Sequence, residues 1–211
     1  MSSSINPHYT FKYVQPEEYH FSHDSVFLAR RAFELLREDD LSSFRVLDLC
    51  AGCGVIGLDF LFHLSAAGRP MPKSCDFLEV QDVYADFFAE NARYVSGTKL
   101  RFLHSNYVEL AADRYDLILC NPPFFREGQG ALSPSTFKNR CRFFLDSDFR
   151  TLLESIDRSL AGRAFILLRD LREHGVDVAA EARQVLGDRL QHVGEIRGTG
   201  LFRITGKNYS V

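Results

Sequence analysis

The 211-residue chain predicts an α/β fold, a doubly wound, Rossmann-like sheet of about seven strands with an antiparallel carboxyl-terminal hairpin. Three observations carry this prediction. The stretch Arg45 to Leu58, RVLDLCAGCGVIGL, reads as strand, tight turn and helix, because a short apolar run gives way at Gly52 and Gly54 to apolar residues at helical spacing. Strand-like runs then alternate with helix-period segments as far as Leu186. Finally, Leu190 to Ile196 and Leu201 to Thr205, joined across Gly198-Thr199-Gly200, have the pattern of a hairpin.

In chain order, Tyr9, Phe11 and Tyr13 alternate with polar residues and predict a short amphipathic strand. Ser22-His23-Asp24-Ser25 offers N-caps for a helix through Phe27, Leu28, Phe33 and Leu36, ending near residues 38–43. After the strand at Val46 to Leu49, the helix from Gly54 runs to Gly68, and residues 69–73 form a proline-containing connector. Residues 75–80 predict the second strand, and residues 81–95 a helix whose buried stripe is Val83, Phe87, Phe88 and Ala92. Strands follow at 100–103 and 115–120. The second ends at Pro122-Pro123, which cannot donate to a sheet ladder. Residues 126–147 show little periodicity and predict a substrate-facing loop or lid. A helix at 149–160, a strand at 164–168 and a helix at 176–186 lead into the hairpin. The expected organisation is one domain over residues 1–211, with 1–40 as an amino-terminal strand and helix packed on it.

Composition narrows the function classes. Hydrophobic residues make up 45% and charged residues 25%, ordinary for a globular domain, and no apolar run approaches the ~20 residues of a membrane span. The start Met-Ser-Ser-Ser-Ile has no basic-then-apolar pattern, so a cytoplasmic setting is expected. Five irregularly spaced cysteines argue against a disulfide framework, and no second C-x-x-C completes a zinc site, so no metal is expected. Cys50-Ala-Gly-Cys53 has a rival reading as a thiol–disulfide active pair, which leaves the neighbouring glycines unexplained. A net charge of −3 argues against a protein that coats nucleic acid by bulk electrostatics. The distribution is uneven: residues 1–120 carry 11 basic and 17 acidic side chains, and residues 121–211 carry 14 basic and 11 acidic. Arg126, Lys138, Arg140, Arg142 and Arg150 follow Asn121 closely and could meet phosphates beside a pocket, or form a solvated mixed-charge surface.

Two stretches carry chemistry. Gly52 and Gly54 present no Cβ, so backbone N–H groups and a helix N-terminus can approach a polar ligand closely. The glycines do not follow the G-x-G-x-x-G order, which makes NAD a poor fit. At the end of the 115–120 strand, Asn121 and the Pro122 carbonyl offer acceptors for a planar amino group, and Phe124 offers a stacking face. Glu79 lies near the end of the second strand, where a carboxylate can accept from both ribose hydroxyls.

Together these stretches resemble the S-adenosylmethionine-dependent N-methyltransferases with an Asn/Asp-Pro-Pro-aromatic signature, the class I methyltransferase fold. The order FSHDSVFLARRAFELL, VLDLCAGCGVIGL, FLEVQ and NPPFF is most similar to the bacterial tRNA (valine) adenine-N6 methyltransferases, over roughly residues 11–170. The resemblance implies an enzyme whose catalytic residues are Asn121, Pro122, Pro123 and Phe124. It implies a cofactor, S-adenosyl-L-methionine, held by Ser22, Asp24, Asp48, Cys50, Ala51, Gly52, Gly54, Glu79, Val80, Asn106, Tyr107 and Asn121. In that assignment Asp48 and the glycine turn meet the amino-acid part, Glu79 the ribose, and Asn106 the adenine amino group, where the family usually has Asp. Phe125, Arg126, Lys138, Arg140 and Arg142 would meet RNA, with tRNA the expected partner and a monomer the expected state. Cys50 stands where the family has its first glycine and is expected to narrow the pocket; the Arg140-Cys141-Arg142 segment matches the family's basic stretch only loosely. No ionisable base is required, so His23 and His104 are expected to be dispensable for proton transfer. Two alternatives stay open: a protein-glutamine methyltransferase, whose amide substrate suits the same acceptors, and a catalytically silent cofactor- or RNA-binding partner subunit.

Overall fold

The computed structural model describes residues 11–126 and 128–209. Seven strands form one sheet: β1 (Arg45–Leu49), β2 (Ser74–Glu79), β3 (Lys99–His104), β4 (Tyr115–Cys120), β5 (Leu160–Leu168), β6 (Leu190–Ile196) and β7 (Thr199–Thr205). Their order is β3-β2-β1-β4-β5-β7-β6, parallel except for β7, which runs antiparallel to both β5 and β6. The helices are α1 (His23–Leu35), α2 (Val55–Ala66), α3 (Tyr84–Asn91), α4 (Thr136–Arg142), α5 (Phe149–Ser159) and α6 (Val178–Leu186). Among the described residues no helix is long and apolar enough to cross a membrane.

Central strands are apolar on both faces because helices cover both. Alternation along β4 sends Leu117 and Leu119 to the core beneath α1, α2 and α3, and Ile118 and Cys120 to the core beneath α5 and α6. In β5, Phe165 and Leu167 take the first side and Ala164, Ile166 and Leu168 the second. Each fully buried Leu or Phe of these strands contributes roughly 1.5–3 kcal/mol relative to exposure. Asp148 caps α5 by accepting from the Thr151 N–H at 2.8 Å, and Asp177 caps α6 through the Ala180 N–H at 2.8 Å.

The expected elements form, with six differences. Phe11 to Tyr13 is not a strand, and Tyr9 lies outside the described residues. The segment is instead an extended strap pinned by side chains. Tyr13 donates its hydroxyl to Asp59 at 2.7 Å, and the buried Asn91 amide accepts from Val14 N–H at 2.8 Å while donating to the Val14 and Cys53 carbonyls. Phe11 stacks on Tyr94, with ring centroids 4.9 Å apart. In α3 the buried residues are Tyr84, Phe88 and Asn91; Val83 is 46% exposed because the helix begins one residue beyond it. Residues 126–147 include the helix α4, which the sequence pattern does not announce. β5 starts four residues earlier than expected, and α6 two residues later. The hairpin turn is Arg197-Gly198, with φ of 51° and 82°, so β7 begins at Thr199.

One contact fixes the height of α2 above the sheet. A Cβ on Gly57 would lie 2.5 Å from a Phe77 ring carbon and 3.2 Å from the Asp48 Cβ, so the helix rests directly on β1 and β2. Gly57→Ala is therefore expected to lower the unfolding free energy by about 1–3 kcal/mol through overpacking, despite alanine's better helix propensity. Denaturant titration checks this, and an unchanged midpoint would show that Phe77 and Asp48 yield freely.

Candidate active site

A cavity of about 520 Å³ opens at the carboxyl ends of β1, β2 and β4, bounded by the amino-terminal strap, the start of α1 and the end of α4. This is where the strand order reverses between β1 and β4, the usual ligand crevice of such sheets. Leu49 pairs with Cys120, so the glycine turn and Asn121 leave the sheet side by side.

The turn is built by backbone requirements. Cys50, Gly52 and Gly54 all have positive φ, at 60°, 53° and 86°. A Cβ on Gly54 would lie 2.8 Å from the Phe88 ring, and one on Gly52 would meet only Tyr84 at 3.7 Å, leaving Gly52 open to the cavity. Ala51 N–H donates to the Leu78 carbonyl at 3.0 Å, tying the turn to the end of β2. Gly52 N–H donates to Glu79 Oε2 at 2.9 Å, and Gln81 N–H to Glu79 Oε1 at 3.0 Å. Each carboxylate oxygen keeps acceptor capacity toward the cavity, which Glu79 lines. Burial pushes its pKa above the ordinary value, and the backbone donors and Arg140 partly offset this.

At the other end, Asn121 donates its amide to the Ser25 hydroxyl at 3.2 Å. Its Oδ1 is buried and has no hydrogen-bond partner. A buried amide oxygen left unsatisfied costs about 1–3 kcal/mol, so this acceptor is set for a donor that arrives with a ligand. Pro122, Pro123 and Phe124 line the same cavity. Asp24 lines it from α1, its carboxyl raised by burial and lowered by Arg197, which lies 3.8 Å away.

Of the residues expected at the site, Ser22, Asp24, Cys50, Ala51, Gly52, Glu79, Val80, Tyr107, Asn121 to Phe125, Arg140 and Arg142 line the cavity. Five do not. Asp48 is fully buried beneath the turn, where its Oδ2 accepts from Gly57 N–H at 2.8 Å and supports α2, while its Oδ1 has no partner. Gly54 is the left-handed N-cap of α2. Asn106 spends its Oδ1 on Val108 N–H at 3.1 Å and its amide N–H on the Asp146 carbonyl at 3.2 Å, so it caps a short turn. Arg126 is paired with Glu181, and Lys138 lies on α4 away from the cavity. Arg140 does line the cavity but is held bidentately by Asp146, with contacts of 2.9 and 2.7 Å.

Several lining residues have little sequence signal. Gln15, Tyr19 and Phe21 come from the strap, and Tyr84, Cys141 and Arg169 from three other elements or their ends. Tyr84 and Cys141 meet at 3.3 Å, and Phe137 packs on Tyr84 at 5.5 Å, which seats α4 over the β2 side. Cys53 of the Cys50-Ala-Gly-Cys53 stretch is buried with its pKa pushed up to about 12 by burial, so it is not itself a reactive thiolate.

The arrangement fits a nucleoside cofactor: a carboxylate for a ribose diol at one end, an unsatisfied amide at the other and apolar walls between. The profile of the methyltransferase small domain matches residues 17–139, more than half of the chain. A tRNA1(Val) (adenine(37)-N6)-methyltransferase of Dyadobacter fermentans is 32% identical over 121 residues, covering 55% of this chain and 46% of the relative. Two further relatives bear the same name, and the chain spans about half the length of the curated relatives it matches. Among solved structures, a candidate RNA methyltransferase of Pyrococcus horikoshii superposes with a TM-score of 0.62 at 17% identity, covering 92% of this chain and 93% of that one. A T. thermophilus 16S rRNA guanine-N2 methyltransferase, solved with AdoMet and guanosine, also has a TM-score of 0.62, at 16% identity over 90% of this chain and 45% of that one. Sheet order and superpositions agree on the class I methyltransferase fold. By the match over residues 17–139, the chain belongs to the methyltransferase small domain family.

Proposed function

We propose that this chain methylates the exocyclic N6 of an adenine in RNA, with tRNA, and adenine 37 of a valine tRNA in particular, as the substrate suggested by its relatives' names. The observation that carries the reading is the buried, unpartnered Asn121 Oδ1 in a cavity shared with Glu79. S-adenosylmethionine, when bound, supplies an electrophilic methyl group. Glu79 would hold its ribose, and Ser22, Asp24 and the glycine turn its amino-acid part.

The chain's own work is positioning. An adenine amine is a poor nucleophile because its lone pair is delocalised into the ring. Asn121 Oδ1 and the Pro122 carbonyl accept the two amine hydrogens, which favours a tetrahedral nitrogen and fixes its direction. The two prolines keep those acceptors stiff, since their φ angles are fixed near −65°. Phe124 stacks on the base after it leaves its loop, and Ser25 holds the Asn121 amide from α1. As acceptors, Asn121 and Pro122 leave the amine proton to depart after transfer without an ionisable partner, consistent with His104 sitting outside the cavity on the Val80 carbonyl at 3.2 Å.

Incubation with tritiated S-adenosylmethionine and separate tRNA, rRNA and protein fractions, followed by nucleoside analysis, tests the assignment. Label recovered as N6-methyladenosine in tRNA supports it, and label confined to protein glutamine overturns it. Within the active protein, Asn121→Ala is expected to lower kcat by roughly 10²–10³-fold with cofactor affinity changed less than a few-fold. Glu79→Ala is expected to weaken cofactor binding while sparing the grip on the amine. Calorimetry and single-turnover kinetics separate the two, and equal loss of binding in both variants refutes the division of roles.

A pH dependence follows from Glu79. Ribose hydroxyls donate to the ionised carboxylate, and burial raises the pKa of that group. Cofactor affinity should therefore fall as pH drops through a value above the ordinary glutamate range, by up to tenfold per pH unit below it. Glu79→Gln should flatten this slope, whereas Asp24→Asn, which alters another of the acids lining the cavity, should leave the Glu79 step in place.

A further inference from the structure

We infer that Arg142 and Arg169, both set against Phe125 at the cavity mouth, clamp a phosphodiester next to the methylated nucleotide. The inference rests on RNA being the substrate and names the part of the site that would read its backbone. Phe125 follows the Asn-Pro-Pro-Phe stretch and is stitched to the end of α4: its N–H donates to the Arg142 carbonyl at 3.0 Å, and its carbonyl accepts from Phe144 N–H at 2.9 Å. That pairing brings the Arg142 guanidinium carbon to 5.8 Å from the Phe125 ring centre and 5.4 Å from that of Phe143. Arg169, the first residue beyond β5, lies 5.4 Å from the same Phe125 ring. Both arginines line the cavity.

Their charges are available in a way the neighbouring ones are not. Arg126 and Arg140 each have a carboxylate partner, Glu181 and Asp146. Among the described residues, no carboxylate lies within ion-pair distance of Arg142 or Arg169. Asp24 senses Arg169, but the ion pair it makes is with Arg197. A guanidinium packed on an aromatic ring loses little further freedom when its planar fork meets a phosphate. Two such groups on one ring, a residue away from the base-stacking Phe124, form a built anion site beside the position of the target base.

The test uses the full chain and a ten-nucleotide single-stranded RNA with one central adenosine, followed by fluorescence anisotropy across a salt series. Arg142→Gln and Arg169→Gln should each weaken RNA binding about five- to tenfold at low salt and reduce the salt slope by about 0.7, the value for one phosphate contact on a single strand. Arg30→Gln, which removes a distant surface charge, should leave the slope unchanged. Cofactor affinity and Tm should stay at wild-type values in both variants. A neutral methylphosphonate at the linkage flanking the adenosine should reproduce the loss with the wild-type protein, and should add nothing in the double variant. An unchanged slope in the double variant, or a fall in cofactor affinity matching the fall in RNA affinity, overturns the clamp; the second result would assign the arginines to the cofactor carboxylate. If the wild-type protein forms N6-methyladenosine while the double variant keeps its KM for RNA, the clamp fails and the methylation reading stands. An arginine-dependent slope without any methylated adenosine has the reverse meaning.

Discussion

The parallel pairing of β1 with β4 is the constraint on which the rest of the site depends. Its register sets Leu49 beside Cys120, so two segments far apart in the chain end at the same level of the sheet. One continues into a turn of left-handed residues and the other into two prolines, and neither can extend the ladder. Both chains must therefore part from the sheet at the point where the strand order reverses, and a crevice opens between them. Helices then close it from above. α1 reaches Asn121 through Ser25, and α4 reaches the β2 side through Tyr84 and Cys141. The strap is fastened by Asn91, which also holds the Cys53 carbonyl of the glycine turn, so the cover and the floor share one buried amide.

Sequence pattern reveals the central strands well because β1, β2 and β4 are almost wholly buried, largely apolar runs ended by glycine, proline or a polar residue. It reveals the Asn-Pro-Pro-Phe corner for the same reason. It does not reveal α4, which has seven residues, little amphipathic period and an N-cap, Ser135, whose hydroxyl accepts from Lys138 N–H at 3.3 Å. Tertiary contacts decide that helix, above all Phe137 on Tyr84. Charge counting alone cannot separate Arg140 from Arg142. The first is neutralised by a carboxylate six residues on and the second is not, a distinction that exists only after the chain has folded back. Arg169 is a lone cation after a strand and gains meaning from a ring 44 residues earlier. Asn106 shows the reverse problem: a polar residue at the expected strand end whose side chain is consumed by its own turn.

Cys50 ties these threads to energetics. Its φ of 60° places a side chain in the left-handed region, a cost of roughly 1–2 kcal/mol that glycine would avoid. The surrounding bonds leave the backbone little choice. Ala51 N–H must reach the Leu78 carbonyl and Gly52 N–H must reach Glu79, so the chain has to reverse within one residue of leaving β1. The thiol in turn finds a partner in the buried Cys120 thiol on the adjacent strand. Strain in the turn is thus balanced against two backbone bonds to β2 and a contact to β4. The bond from Gly52 gives this balance functional weight. Glu79 is simultaneously the anchor of the turn and the acid that faces the cavity, and its buried charge is tolerated because Gly52 and Gln81 donate to it. A ligand donor to the remaining lone pairs of Glu79 would therefore share that carboxylate with the two backbone bonds around the turn. The same carboxylate links how firmly the turn is held to how well the cavity binds, with no moving domain required.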